Sequence, residues 1–124
     1  MANYSFEEFK RIIERLRAKD GCPWDREQTH ESLRQAMLEE CYEALEAIDR
    51  KDTENLKEEL GDILLQIVMH SVIAEESGEF SLNDVIDGIS TKMIRRHPHV
   101  FGTKEAGTSE QVLANWEEIK KKEK

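Results

Sequence analysis

Aromatic side chains make up only 6% of the 124 residues, so any core must be built from Leu, Ile, Val, Met and Ala. Cysteine is scarcer still. Cys22 and Cys41 have no CxxC or Cys/His spacing, which argues against a thiolate metal site and for two reduced thiols, one in a loop and one in a core. Positive charge is short as well: 18 Lys and Arg face 27 Asp and Glu, for a net charge of -9. A surface of that sign repels nucleic acid and anionic membranes, so neither is expected as a partner. Long apolar runs are missing; "ILLQIVMHSVIA" is too short and too interrupted to span a bilayer. The opening "MANYSFEEFKRII" brings acids at once and has no uninterrupted apolar segment of a signal peptide. A soluble, cytoplasmic protein is expected. No stretch sustains the alternation of a strand, and no repeat or long linker divides residues 1–124, so a single domain is expected.

What is present is helical periodicity. Phe6, Phe9, Ile12, Ile13 and Leu16 follow the 3,4 spacing of one face over residues 5–18, and Ser5 with Glu8 makes a capping-box pattern. "KDGCPWD" (19–25) breaks the chain at Gly21 and Pro23, and Trp24 is expected as a plug under that loop. A second helix is expected from about His30 to Arg50, with Leu33, Met37, Cys41, Ala44, Leu45 and Ile48 as its stripe. Asp52 or Thr53 caps a third, which stops at Gly78. A fourth carries Leu82, Val85, Ile86, Ile89 and Met93 and ends at "HPHVFG", because Pro98 disfavours helical geometry at His97. The last follows Ser109 with Val112, Leu113, Trp116 and Ile119 inward, and residues 120–124 are expected to fray. The fold class is all-α, a bundle of four or five helices.

The third helix is apolar nearly all round: Leu60, Ile63, Leu64, Leu65, Ile67, Val68, Met69, Val72 and Ile73 cover its circumference. Such a helix must be covered all round, and a chain this small has few helices to do it. A homo-oligomer, at least a dimer, is expected, against a monomer that buries this helix centrally.

Glu40 and Glu43 stand three apart on the second helix, and Glu59 and Asp62 three apart on the third; residues so spaced share a helix face. If the two helices pack antiparallel across the short connection at Lys51 and Asp52, the four carboxylates can converge. Four converging carboxylates cannot all stay ionised without positive charge, and Mg²⁺, which takes carboxylate oxygens together with substrate phosphates, suits them. Gly61 would then allow close approach of the helices. A solvated acidic surface is the competing reading, and the spacing alone leaves both open.

The segments "GCPWDREQTHESL" (21–33), "LEECYEALEAI" (38–48), "LKEELGDILLQIVMH" (56–70), "AEESGEFSLNDVI" (74–86) and "KMIRRHPHVFG" (92–102) closely resemble the MazG family of all-α nucleoside triphosphate pyrophosphohydrolases. Glu40-Cys41-Tyr42-Glu43 and Glu59-Leu60-Gly61-Asp62 match the family's ExxE and ExxD metal motif. The resemblance implies cleavage of nucleoside triphosphates between the α- and β-phosphates, giving a monophosphate and pyrophosphate. It implies Mg²⁺, with Mn²⁺ as a substitute, held by Glu40, Glu43, Glu59 and Asp62, and a homodimer or dimer of dimers. In the region of the family's basic patch, Lys92, Arg95 and Arg96 are expected to meet the outer phosphates; the competing reading has them complement the helix dipole. Trp116 matches an aromatic of the family's nucleotide pocket, and core packing is equally open to it. His97 and His99, beside a proline at a bend, are expected to be structural or to line a pocket wall rather than to bind metal, and His70 to be a satisfied buried histidine. One departure stands out: Ala36 occupies a place, one turn before ExxE, where some active members carry lysine. The chain in this respect is similar to the first half of the family's two-domain proteins, where a catalytically weak nucleotide-binding or regulatory module is the alternative function. The chain can also be a fragment of a longer protein.

Overall fold

Ser5 starts the first helix, α1 (Phe6–Leu16), with the expected reciprocal cap: its hydroxyl accepts the Glu8 N–H and the Glu8 carboxylate accepts the Ser5 N–H, both at 3.1 Å. After Leu16 the chain folds back, and the Cys22 N–H donates to the Leu16 carbonyl at 2.8 Å. Gly21 lies so close in this turn that a Cβ would stand 2.4 Å from the carbonyl oxygens of Arg15 and Leu16, so a side chain would force the backbone apart. Where the sequence suggests only a break, a one-turn helix forms, α2 (Pro23–Glu27), with proline in its first turn. Trp24 is not a plug: it is 61% exposed.

Helix α3 (Arg34–Asp49) starts later than expected. The Thr29 N–H donates to the Ser32 hydroxyl at 2.8 Å and the Ser32 N–H to the Thr29 hydroxyl at 3.1 Å, an alternative to the helical ladder that holds residues 30–33 in turns. Helix α4 (Thr53–Glu76) is capped by Asp52, whose carboxylate accepts the Asn55 N–H at 3.1 Å. Both α3 and α4 end in the same device. After α3, Lys51 takes a positive φ of 57°, its N–H bonds the Ile48 carbonyl, and the Asp52 N–H bonds the Ala47 carbonyl. After α4, Gly78 takes φ 72°, with the Glu75 and Ala74 carbonyls accepting from Gly78 and Glu79. These are Schellman closures, and α4 stops where Gly78 predicts. Three further helices follow, α5 (Leu82–Arg96), α6 (Pro98–Phe101) and α7 (Ser109–Glu123). Five long helices match the expected class; the short α2 and α6 are additions.

This computed structural model describes residues 3–102 and 107–123, and no strand occurs among them. No helix among them is long and apolar enough to cross a membrane. The chain forms two units, Met1–Leu82 and Asn83–Lys124.

In the first unit α3 packs along α4, and α1 lies against α4. Ile13, Leu33, Val68, Met69, Val72 and Leu82 form the core, with Phe9, Leu64, Leu65 and Ile73 against it. The buried line of α3 keeps only part of the expected stripe. Ala44 and Ala47 are buried and Ala36 and Glu40 half-buried, whereas Cys41, Leu45 and Ile48 are exposed. Small alanines let the two helix axes approach, and that advantage outweighs the larger apolar area of Leu45 and Ile48. Gly61 does not explain the approach, because a Cβ there would meet nothing within 4 Å.

Arg17 ties the turns of this unit together. Its guanidinium donates to both carboxylate oxygens of Glu76, at 2.9 and 2.8 Å, and to the backbone carbonyls of Asp25 and Gln28, at 2.5 and 3.1 Å. His30 and His70 meet Nδ1 to Nδ1 at 2.8 Å with their rings within 6° of parallel, so one ring must donate and the other accept. His70 is less completely satisfied than expected, since its buried Nε2 has no partner. Burial, and then His30, hold the His70 pKa below its ordinary value.

In the second unit α7 stays helical through Lys120–Glu123, where fraying was expected, and Glu123 is ion-paired to α5. Val112, Trp116 and Ile119 are half-buried, but Leu113 faces out.

Candidate metal centre

Two helices that each carry acids one turn apart, joined by a tight Schellman turn, must set those acids opposite one another near the turn. Glu40 lies on the half-buried line of α3. Glu59 lies on the α4 line that continues through Asp62, Gln66 and Met69, and it is 8% exposed. Glu40, Glu43 and Glu59 each bring a carboxylate oxygen within 4.8 Å of the other two. Glu43 is exposed at the rim of this group. The Asp62 carboxylate is not in that set, but its charge acts on all three.

Mutual proximity leaves a clear electrostatic mark. The Glu40 pKa is raised, first by burial and then by the charges of Asp62 and Glu43, against a hydrogen bond with Glu59 that lowers it. Glu43 is raised chiefly by Glu59, and Glu59 chiefly by Glu40. The charged groups that act most strongly on the three are other carboxylates. One oxygen of Glu40 and one of Glu59 are buried with no hydrogen-bond partner. Orphaned, inward, anionic oxygens are what a hard divalent cation neutralises, so the residues fit the ion that the sequence implies.

Gln66 escaped the sequence reading. It is buried, its Oε1 lacks a partner, and it lies two turns beyond Glu59 on the same line of α4. The signal was there: a lone amide inside "ILLQIV", seven residues from Glu59.

The expected phosphate and base contacts lie in the second unit. Arg95 Nε donates to Glu123 at 2.5 Å and Arg96 Nη2 donates to its other oxygen at 2.8 Å. The Arg96 guanidinium also sits over the Trp116 ring, 5.2 Å from its centroid. His97 meets the same ring edge-on at 5.1 Å and shares a hydrogen bond of 2.6 Å with the Met93 carbonyl oxygen. His97 thus has the structural role expected of it. Lys92 is half-buried one turn before Arg96.

Fold and site together define a class: an all-α domain whose central helix pair carries a cation-ready carboxylate group. Residues 28–101 match the model of the MazG nucleotide pyrophosphohydrolase domain. The chain therefore belongs to the MazG family. It is 53% identical over 123 residues to a Thermotoga maritima protein named nucleoside triphosphate pyrophosphohydrolase/pyrophosphatase MazG, covering 99% of this chain and 47% of that one. It is 57% identical over 121 residues to the Bacillus subtilis protein YabN, described as uncharacterized, covering 98% of this chain and 25% of that one. The chain thus spans between a quarter and about half the length of these relatives. Among solved structures, the crystal structure of a mazG-related protein from Thermotoga maritima superposes with a TM-score of 0.77 at 30% identity, covering 93% of this chain and 98% of that one.

Proposed function

We propose that this chain is a divalent-cation-dependent nucleoside triphosphate pyrophosphohydrolase domain, acting in the cytoplasm on the α–β phosphate linkage of NTPs or dNTPs. The observation that carries the reading is the meeting of Glu40, Glu43 and Glu59 within 4.8 Å, each with its pKa raised. These three and Asp62 hold Mg²⁺ or Mn²⁺. A bound divalent ion supplies positive charge to polarise phosphoryl oxygens and to acidify water. Glu40 or Glu43 would take the proton of the attacking water as general base while the water oxygen bonds to phosphorus and the bridging P–O bond breaks, so that pyrophosphate and a nucleoside monophosphate form. Lys92, Arg95 and Arg96 meet the outer phosphates, and Trp116 faces the base.

With Mg²⁺ present, a panel of NTPs and dNTPs is expected to release pyrophosphate, and Asp62→Asn is expected to abolish that release. Release at background for the whole panel would overturn the hydrolase reading. If calorimetry then still shows Mg²⁺–nucleotide binding, the chain is the nucleotide-binding or regulatory module that Ala36 suggests.

The working form is a homodimer or dimer of dimers. On α3, Leu38, Tyr42, Leu45 and Ile48 are exposed at helical spacing, and Leu60 and Ile67 are exposed on α4. That much apolar surface on one helix pair marks a protein contact. Sedimentation is expected to give a mass of at least twice 14.5 kDa; a stable monomer at micromolar concentration would exclude the oligomer.

A further inference from the structure

Glu123 places its two carboxylate oxygens on two different guanidinium groups, Oε2 on Arg95 and Oε1 on Arg96. One anion bridging two arginines is how proteins hold phosphoryl groups. We propose that Glu123 is an internal stand-in for a phosphoryl group on Arg95 and Arg96, so that a phosphate ligand binds this pair only by displacing it. The inference rests on the reading of these arginines as phosphate contacts.

Three features separate this arrangement from a simple staple between α5 and α7. First, Arg96 has support that does not depend on Glu123. Its side chain is only 16% exposed and its guanidinium lies over Trp116, which His97 braces edge-on. The fork would keep its position after Glu123 left. Second, Arg96 has a spare donor: its Nε is buried without a hydrogen-bond partner. A carboxylate has two oxygens and both are engaged, whereas a terminal phosphoryl group brings three acceptor oxygens. Third, a single carboxylate is shared by two guanidinium groups, and Lys92 lies one turn from Arg96 on α5. A dianion completes what Glu123 half-satisfies. The two arginines also hold the Glu123 carboxyl at about 2, so the competitor keeps its charge throughout the physiological range.

The test uses the whole chain in EDTA with inorganic triphosphate as probe, so that turnover plays no part. Glu123→Gln keeps the shape and removes the competing charge. Calorimetry is expected to show triphosphate binding tighter by about tenfold or more, ~1.4 kcal/mol, in this variant, and binding lost on adding Arg96→Ala. Unchanged or weaker binding in Glu123→Gln would overturn the proposal, because a structural staple predicts that outcome. A second arm uses the unaltered chain, free of any folding defect in the variant. Its Arg95 and Arg96 Nε–H resonances should shift together as triphosphate saturates, and resonances that stay fixed at saturation would also overturn it. If the nucleotide panel is silent while Glu123→Gln gains affinity, the hydrolase reading fails and this one stands. If nucleotides are cleaved and Glu123→Gln gains nothing, the reverse holds.

Discussion

Glu59→Gln is expected to lower metal-dependent pyrophosphate release by on the order of 10²–10³-fold, the loss typical when one electrostatic contact to a transition state is removed. The same change is expected to raise the thermal midpoint of the metal-free protein. The opposed signs follow from one geometry. Glu40, Glu43 and Glu59 stand within 4.8 Å of one another, and each has a pKa raised by burial or by its acidic neighbours. A carboxyl whose pKa is raised on folding favours the fold below its unfolded value, about 4.3. That contribution is lost as pH rises through the folded value, when ionised groups repel. At pH 7 the cluster therefore opposes folding, and an amide at position 59 relieves it. The stability difference between Glu59→Gln and the parent should be small near pH 4 and grow toward neutrality. Added Mg²⁺ should reverse the order, since an ion bound only by the folded state stabilises by about 2.7 kcal/mol at a hundred times its dissociation constant. Melting curves at pH 4 and 7, with and without Mg²⁺, test all of this. A variant less stable than the parent in EDTA at pH 7 would show that Glu59 serves packing and not a cation.

Much of this site is legible in the sequence. Local signals carried furthest. Ser5, Asp52 and Gly78 set helix ends by chemistry confined to four or five residues, and the ends fall where those residues put them. The i,i+3 acids needed only the helical repeat and a short turn between helices. Face selection fared worse. Of the stripe expected on α3, Leu33 and Ala44 are buried, but Leu45 and Ile48 are exposed and Ala47, outside that stripe, is buried. The proposed second copy would cover Leu45 and Ile48, and the oiliest stripe then need not be the one buried within the subunit. The glycine in "EELGD" misled for a related reason: the open space beside it shows that it does not serve the α3–α4 approach. Partners far apart in sequence left no signal at all. Glu123 lies 27 residues beyond Arg96 in a lysine-rich tail, and only the path of α7 joins them.

Arg17 is the extreme case of that long-range blindness, and Arg17→Ala is expected to destabilise the fold by about 2–4 kcal/mol. In the sequence it is one more cation after α1. In the fold its side chain is 8% exposed and makes four hydrogen bonds to three residues, in the α2 turn and at the end of α4, as far as 59 residues away. Charge-assisted bonds are worth about 1.5–3 kcal/mol each when shielded. Glu76 is partly open to water, however, so its share is discounted. The loss is larger at the carbonyls of Asp25 and Gln28, since the α2 turn has little core of its own to hold it. Lysine cannot repeat a planar fork, so Arg17→Lys should recover less than half of the deficit. Glu76 and Glu59 lie 17 residues apart on α4, which places the staple roughly 25 Å along the helix from the carboxylates. Over that distance effects add. Arg17→Ala should therefore leave Mg²⁺ affinity unchanged, and combined with Glu59→Gln should give the sum of the two stability changes. Urea unfolding followed by circular dichroism measures the sum, and calorimetry with Mg²⁺ the affinity. A loss under about 0.5 kcal/mol would reduce Arg17 to an ordinary surface cation, and a coupled double mutant would mean that α4 transmits strain between its ends.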